Sequence, residues 1–72
     1  MGAWLTARER QIIHALLAGS TNREIGLSLG LREQTIKNRL SVIYGKLGVR
    51  NRLELTLRAV REPQISREGN DH

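Results

Sequence analysis

Twice near the start of the chain a threonine is followed three positions later by a glutamate, in Thr6-Ala7-Arg8-Glu9 and in Thr21-Asn22-Arg23-Glu24. At that spacing the hydroxyl accepts from an orphan amide of a helix's first turn, and the carboxylate reaches back to the amide of the capping residue. Each pair therefore marks a helix start. Gly19, Gly30 and Gly48 follow stretches of apolar periodicity, where a left-handed residue stops a helix. A chain with starts and stops this close together is restricted to short helices joined by tight turns. The pattern predicts an all-α domain of four helices, approximately 6–18, 22–29, 33–47 and 51–61.

The apolar residues follow the same division. Ile12, Ile13, Leu16 and Leu17 form one face of the first helix, and Ile25 and Leu29 lie one turn apart on the second. Leu31 and Val49 fall in turns, where they would plug the junctions between helices. The third helix carries Ile36, Leu40, Ile43 and Leu47 at steps of four, three and four, the signature of a single buried seam. Asn51 with Glu54 caps a fourth helix, whose longest apolar stripe is Leu53, Leu57 and Val60. That stripe is expected to face the core, leaving Leu55 and Ala59 on the outside. Pro63 stops further helix, and residues 62–72 are expected to be a disordered tail after a domain at 4–61.

Composition narrows the chemistry. There is no cysteine, so disulfides and thiolate metal sites are excluded. His14 and His72 are too isolated to build a metal centre or a catalytic relay. With no Phe, one Trp and one Tyr, the core must be aliphatic. A domain this small buries only about 60% of the surface its unfolded chain exposes, which leaves little volume for an enclosed active site. No catalysis and no cofactor are expected, nor a membrane span. The charge is lopsided: residues 1–61 hold eleven Lys and Arg against four Glu, whereas the last eleven residues are net acidic. A basic folded part suits a polyanionic partner, and the composition fits a reducing cytoplasm.

The face of the third helix opposite its seam carries Gln34, Asn38, Ser41 and Gly45, flanked by Lys37 on one shoulder and by Arg39 and Val42 on the other. It holds no acid. A merely solvated face would mix glutamate with lysine, whereas this one is neutral-polar and cationic, with small residues where another surface can approach. A helix closed by Gly30, a short turn and a longer helix also have the spacing of a helix-turn-helix.

The stretches Leu5-Thr6-Ala7-Arg8-Glu9-Arg10, Thr21-Asn22-Arg23-Glu24-Ile25, Thr35-Ile36-Lys37-Asn38 and Lys46-Leu47-Gly48-Val49-Arg50-Asn51-Arg52 resemble, in order and without gaps, the LuxR/GerE-type helix-turn-helix family. The resemblance implies a bacterial transcription regulator's DNA-binding domain that docks its third helix in the major groove of double-stranded DNA. It also implies dimerisation through the fourth helix, an N-terminal regulatory domain and a place on the bacterial nucleoid. The family's base-reading positions fall on Lys37, Asn38 and Ser41, and Gln34 shares their face. Phosphate contacts are expected from Thr21, Asn22, Arg23, Thr35, Arg39 and Lys46. Leu55 and Ala59, if exposed, are the expected dimer patch, giving a weak homodimer assembled on DNA. The chain departs from the family pattern at Arg32, where a capping serine is usual, at Arg39, where histidine is usual, and at Gly26, where alanine is usual. Arg39 after Thr-Ile-Lys-Asn also resembles sigma-factor region 4. A protein-interaction module is the alternative from a different class, but the third helix offers such a partner only Val42.

Overall fold

The computed structural model describes residues 4–67. Over that span the chain is helical in the order α1 (Ala7–Leu17), α2 (Asn22–Leu29), α3 (Glu33–Leu47) and α4 (Arg52–Arg61), followed by a 3-10 turn at Pro63–Ile65. Both capping boxes close. The Glu9 amide donates to Thr6 Oγ1 at 3.0 Å and the Thr6 amide to Glu9 Oε1 at 2.8 Å. At α2 the equivalent distances, Glu24 to Thr21 and back, are 3.1 and 2.8 Å. Asn51 Oδ1 caps α4 through the Glu54 amide at 2.9 Å, while the Glu54 side chain accepts from the amide of Arg50. Arg32 sits at the cap of α3 and makes no side-chain capping bond, as its chemistry requires.

The core is one aliphatic cluster. Ile12, Ile13 and Leu16 of α1, Ile25 of α2 and the whole α3 seam of Ile36, Leu40, Ile43 and Leu47 are buried. Leu31 and Val49 pack against it from the turns, as expected of junction plugs.

The fourth helix corrects the sequence reading. Leu53, Leu57 and Val60, expected inside, are 67%, 55% and 73% exposed, whereas Leu55 is 0% exposed and Ala59 packs half-buried against the core. The reason lies in the ends of the other helices. Last-turn carbonyls lack intrahelical donors, and α4 supplies two: Arg52 Nη2 donates to the Leu16 carbonyl at 2.7 Å and Arg58 Nη1 to the Leu47 carbonyl at 2.6 Å. Arg52, Leu55, Arg58 and Ala59 share one side of the helix. The arginine stems cover apolar surface while their cationic heads cap the negative ends of α1 and α3. Docking through this side leaves the longer apolar stripe in water.

The expected disordered tail is corrected at its start. Proline at the first position of the 3-10 turn needs no amide partner, and the turn folds back to bury Ile65 completely in the aliphatic cluster. The single apolar residue of that segment therefore anchors it. Residues 68–72 of the expected tail lie outside the described residues.

Gly26 and Gly45 differ in what surrounds them. A Cβ built on Gly26 would lie 2.5 Å from the Leu31 carbonyl oxygen, which is held in place because the Leu31 amide donates to the Gly26 carbonyl at 2.8 Å. Glycine here permits the turn to close onto α2, so the usual helix penalty of glycine relative to alanine is outweighed at this position. Nothing lies within 4 Å of a Cβ built on Gly45. Gly45→Ala should therefore raise unfolding free energy by up to about 1 kcal/mol, whereas Gly26→Ala should lower it. Urea midpoints of the two variants, measured beside the parent, check both signs.

Candidate nucleic-acid interface

The turn between α2 and α3 sets the geometry of this surface. Gly30 takes the left-handed conformation at φ 72° and its amide donates back to Gly26, so α2 ends abruptly and α3 begins after Leu31 and Arg32. With the α3 seam buried, the opposite face is forced outward. Gln34, Lys37, Asn38, Ser41, Val42 and Gly45 are all exposed, and Thr35 is half-buried beside them. The six exposed residues are thus brought onto one surface, as expected. Their face presents the Lys37 ammonium, two carboxamides and a hydroxyl, without a carboxylate. Gln34 Nε2 donates to Asn38 Oδ1 at 3.0 Å, linking two of these side chains across one helical turn.

The start of α2 borders the same unit. Thr21 and Arg23 are exposed and Asn22 is half-buried. Thr21 Oγ1 accepts from the Glu24 amide, leaving its hydroxyl proton free to donate outward. Together with the partial positive charge of the helix N-terminus, these groups suit an anionic oxygen. Arg39 is exposed on the shoulder of α3.

Lys46 is placed differently from its expected role as a free phosphate neutraliser. Its Nζ lies 2.9 Å from both carboxylate oxygens of Glu9 and 3.4 Å from the Trp4 carbonyl, joining the end of α3 to the start of α1. Burial pushes the Glu9 carboxyl up, but the Lys46 hydrogen bond and charge and the Thr6 amide and hydroxyl outweigh it and hold it below the usual carboxylate range. The sequence reading assigned Glu9 only to the capping box. Its partner stands 37 positions away, and no local spacing marks the pair. Arg10, Arg52 and Arg58 likewise donate to backbone carbonyls within the domain. Part of the basic charge is therefore structural.

Residues 3–59 match the family described as bacterial regulatory proteins, luxR family. The chain is 46% identical over 59 residues to "Probable HTH-type transcriptional regulator GfsR" of Streptomyces halstedii, covering 82% of this chain and 24% of that protein. It is 40% identical over 52 residues to the CsgBAC operon transcriptional regulatory protein of Escherichia coli (strain K12), covering 72% of this chain and 24% of the relative. It is 34% identical over 55 residues to the transcriptional regulatory protein DesR of Bacillus subtilis (strain 168), covering 76% and 28%. The chain thus spans about a quarter of the length of the curated relatives it matches. No solved structure gives a significant match. Among the described residues, no helix is long and apolar enough to cross a membrane.

The Glu9–Lys46 pair sets a pH dependence. Because the folded value of Glu9 is depressed, its contribution is complete above the ordinary carboxylate range and is lost as pH falls through the folded value. Glu9→Gln keeps a side chain able to close the capping box but removes the charge facing Lys46. It should cost about 1–3 kcal/mol at neutral pH. Thermal unfolding from neutrality down to about pH 3 should show the gap between parent and variant closing at the acid end.

Proposed function

The chain belongs to the luxR family of bacterial regulatory proteins, a family of DNA-binding transcription regulators rather than an enzyme class, and on that premise we propose that it binds double-stranded DNA sequence-specifically with α3 in the major groove. The observation that carries this reading is the acid-free outer face of α3, held outward by a fully buried seam. Lysine and carboxamide side chains match the acceptor and donor groups of base edges in that groove. Lys37, Asn38, Ser41 and Gln34 form the base-facing set. Thr21, Asn22, Arg23, Thr35 and Arg39 position the domain on phosphates, with the amides at the start of α2 contributing further donors. Lys46 belongs instead to the internal framework.

The reading includes a dimer on DNA, with its surface moved to the other side of α4. Leu53, Leu57 and Val60 make an exposed apolar stripe at steps of four and three, which a second α4 related by a two-fold axis would cover. Leu55 is buried and Ala59 is half-buried against the core, so the proposal gives that role to the outward stripe. Three side chains make a small patch, so association is weak without DNA and becomes effective when two half-sites hold two copies together. The curated relatives are about four times as long as this chain, which supports a reading in which a regulatory domain preceding this one controls that assembly in the bacterial cytoplasm.

Titration of a two-half-site duplex at several salt concentrations tests the DNA reading. The slope of log K against log salt should be about −0.9 for each cation that meets a phosphate, and Arg23→Ala and Arg39→Ala should each make it shallower by about one. A slope near zero would sink the proposal.

Leu57→Glu tests the dimer. Its site is exposed, so unfolding free energy should stay within about 0.5 kcal/mol of the parent, while cooperative occupancy of the two half-sites disappears. Undiminished cooperativity would place the interface elsewhere.

A further inference from the structure

The outward side of α4 is apolar along its middle and charged along one edge. At about 100° per residue, Glu54 and Arg61 lie two helical turns apart on the same flank of the Leu53, Leu57 and Val60 stripe, while the other flank carries Thr56. With Val49, Leu57 and Arg58 they line a shallow concavity beside the stripe. Both charges have capacity to spare. Glu54 is half-buried and its Oε1 accepts from the Arg50 amide at 2.8 Å, which leaves Oε2 open. The Arg61 guanidinium is exposed and makes no hydrogen bond or ion pair among the described residues, whereas Arg58 is held by the Leu47 carbonyl and by Glu62.

Symmetry decides what that flank meets. Two copies of one helix related by a two-fold axis across their contact run antiparallel, and the axis carries each flank onto the same flank of the other helix. Residues equally far on either side of the middle then stand opposite one another. With the axis close to Leu57, Leu53 comes against Val60 of the second copy and Glu54 against Arg61 of the second copy, and the same contacts recur at the other end. Opposite charges thus meet twice. In a parallel pair the charged flank would meet the flank of Thr56 instead, where no opposite charge stands.

We propose that the α4 stripe pairs antiparallel with that of a second copy in a single register, fixed by two reciprocal ion pairs between Glu54 of each chain and Arg61 of the other. This rests on the reading of α4 as the interface between copies and adds its direction and register. Ion pairs at a wet rim contribute little to strength. Their effect is on which alignment forms, as with the charges that flank an apolar seam in coiled coils. Three apolar side chains alone tolerate a parallel alignment or a slip of one turn, and either would separate the opposite charges.

The chain has no cysteine, so an engineered thiol reports without interference. Two adjacent half-sites impose an effective concentration of about a millimolar, and the chains are tested at that concentration without DNA. Sedimentation equilibrium at low salt should show the parent associating and Arg61→Glu associating about tenfold more weakly, because like charges then meet at both ends. The double variant Glu54→Arg/Arg61→Glu should recover most of that loss, and Leu57→Glu should not associate. Oxidation of an equimolar mixture of Glu54→Cys and Arg61→Cys chains should give mainly the mixed disulfide, and Leu57→Cys chains should link to themselves. Circular dichroism checks folding; if Glu54→Arg proves unfolded, the thiol mixture and Arg61→Glu decide. Self-linked Glu54→Cys or Arg61→Cys chains in excess of the mixed product would overturn the proposal, as would a folded double variant no better than Arg61→Glu. Loss of association in Leu57→Glu without any effect of Arg61→Glu removes the register and leaves the interface standing. A parent that does not associate, or a Leu57→Glu variant that associates as well as the parent, overturns the α4 interface itself.

Discussion

The arrangement depends on the burial of one seam, Ile36, Leu40, Ile43 and Leu47, against the aliphatic residues of α1, α2 and α4. Once four residues at helical spacing are out of water, α3 has no freedom to rotate about its axis, and the identity of every outward residue follows. Each such side chain is worth about 1.5–3 kcal/mol on burial, so rotating the helix to present another face would cost an amount comparable to the whole stability of a small domain. The outer face is in that sense an output of the core. The short turn completes the constraint: the absent Cβ of Gly26 lets the Leu31 carbonyl close onto α2, which sets where α3 starts.

The basic charge has two separate uses. Lys46 neutralises a buried glutamate, while Arg10, Arg52 and Arg58 satisfy backbone carbonyls at helix ends and near the chain's start. These groups stabilise a domain with too small a core to rely on apolar burial alone. Arg23, Lys37 and Arg39 remain exposed on the α2–α3 unit. Net charge alone would assign all of them to a polyanion, whereas Lys46, Arg10, Arg52 and Arg58 are already engaged within the domain.

α4 shows how such polar anchoring can override an apolar count. Its outward stripe has three large hydrophobic residues and its inward side one leucine and one alanine. The inward side nonetheless wins because it carries Arg52 and Arg58, whose bonds to the last-turn carbonyls of α1 and α3 have no counterpart on the other side. Ile65, returned by the 3-10 turn, joins the same buried cluster as Leu55. The result is an exposed apolar ridge of three large side chains along one helix, which is the physical basis for proposing that a second copy covers it.

What the sequence by itself determined are the features that depend on neighbours within one turn of helix. The two Thr-x-x-Glu boxes, the glycine stops, the α3 seam and the acid-free face opposite it all rest on interactions between residues one to four positions apart, and each is found where local spacing puts it. The family resemblance, carried by four motifs in register, likewise needed no structure. Tertiary structure alone decided the rotation of α4, the partner of Glu9, the folding-back of Ile65 and the requirement for glycine at position 26. Each of these turns on a group that spacing within a helical turn does not supply: the Leu16 and Leu47 carbonyls, the Lys46 ammonium, the aliphatic cluster that receives Ile65 and the Leu31 oxygen across a turn. Periodicity reports which faces of a helix are apolar. When a helix carries two such faces, only the donors and acceptors waiting on the rest of the fold select between them.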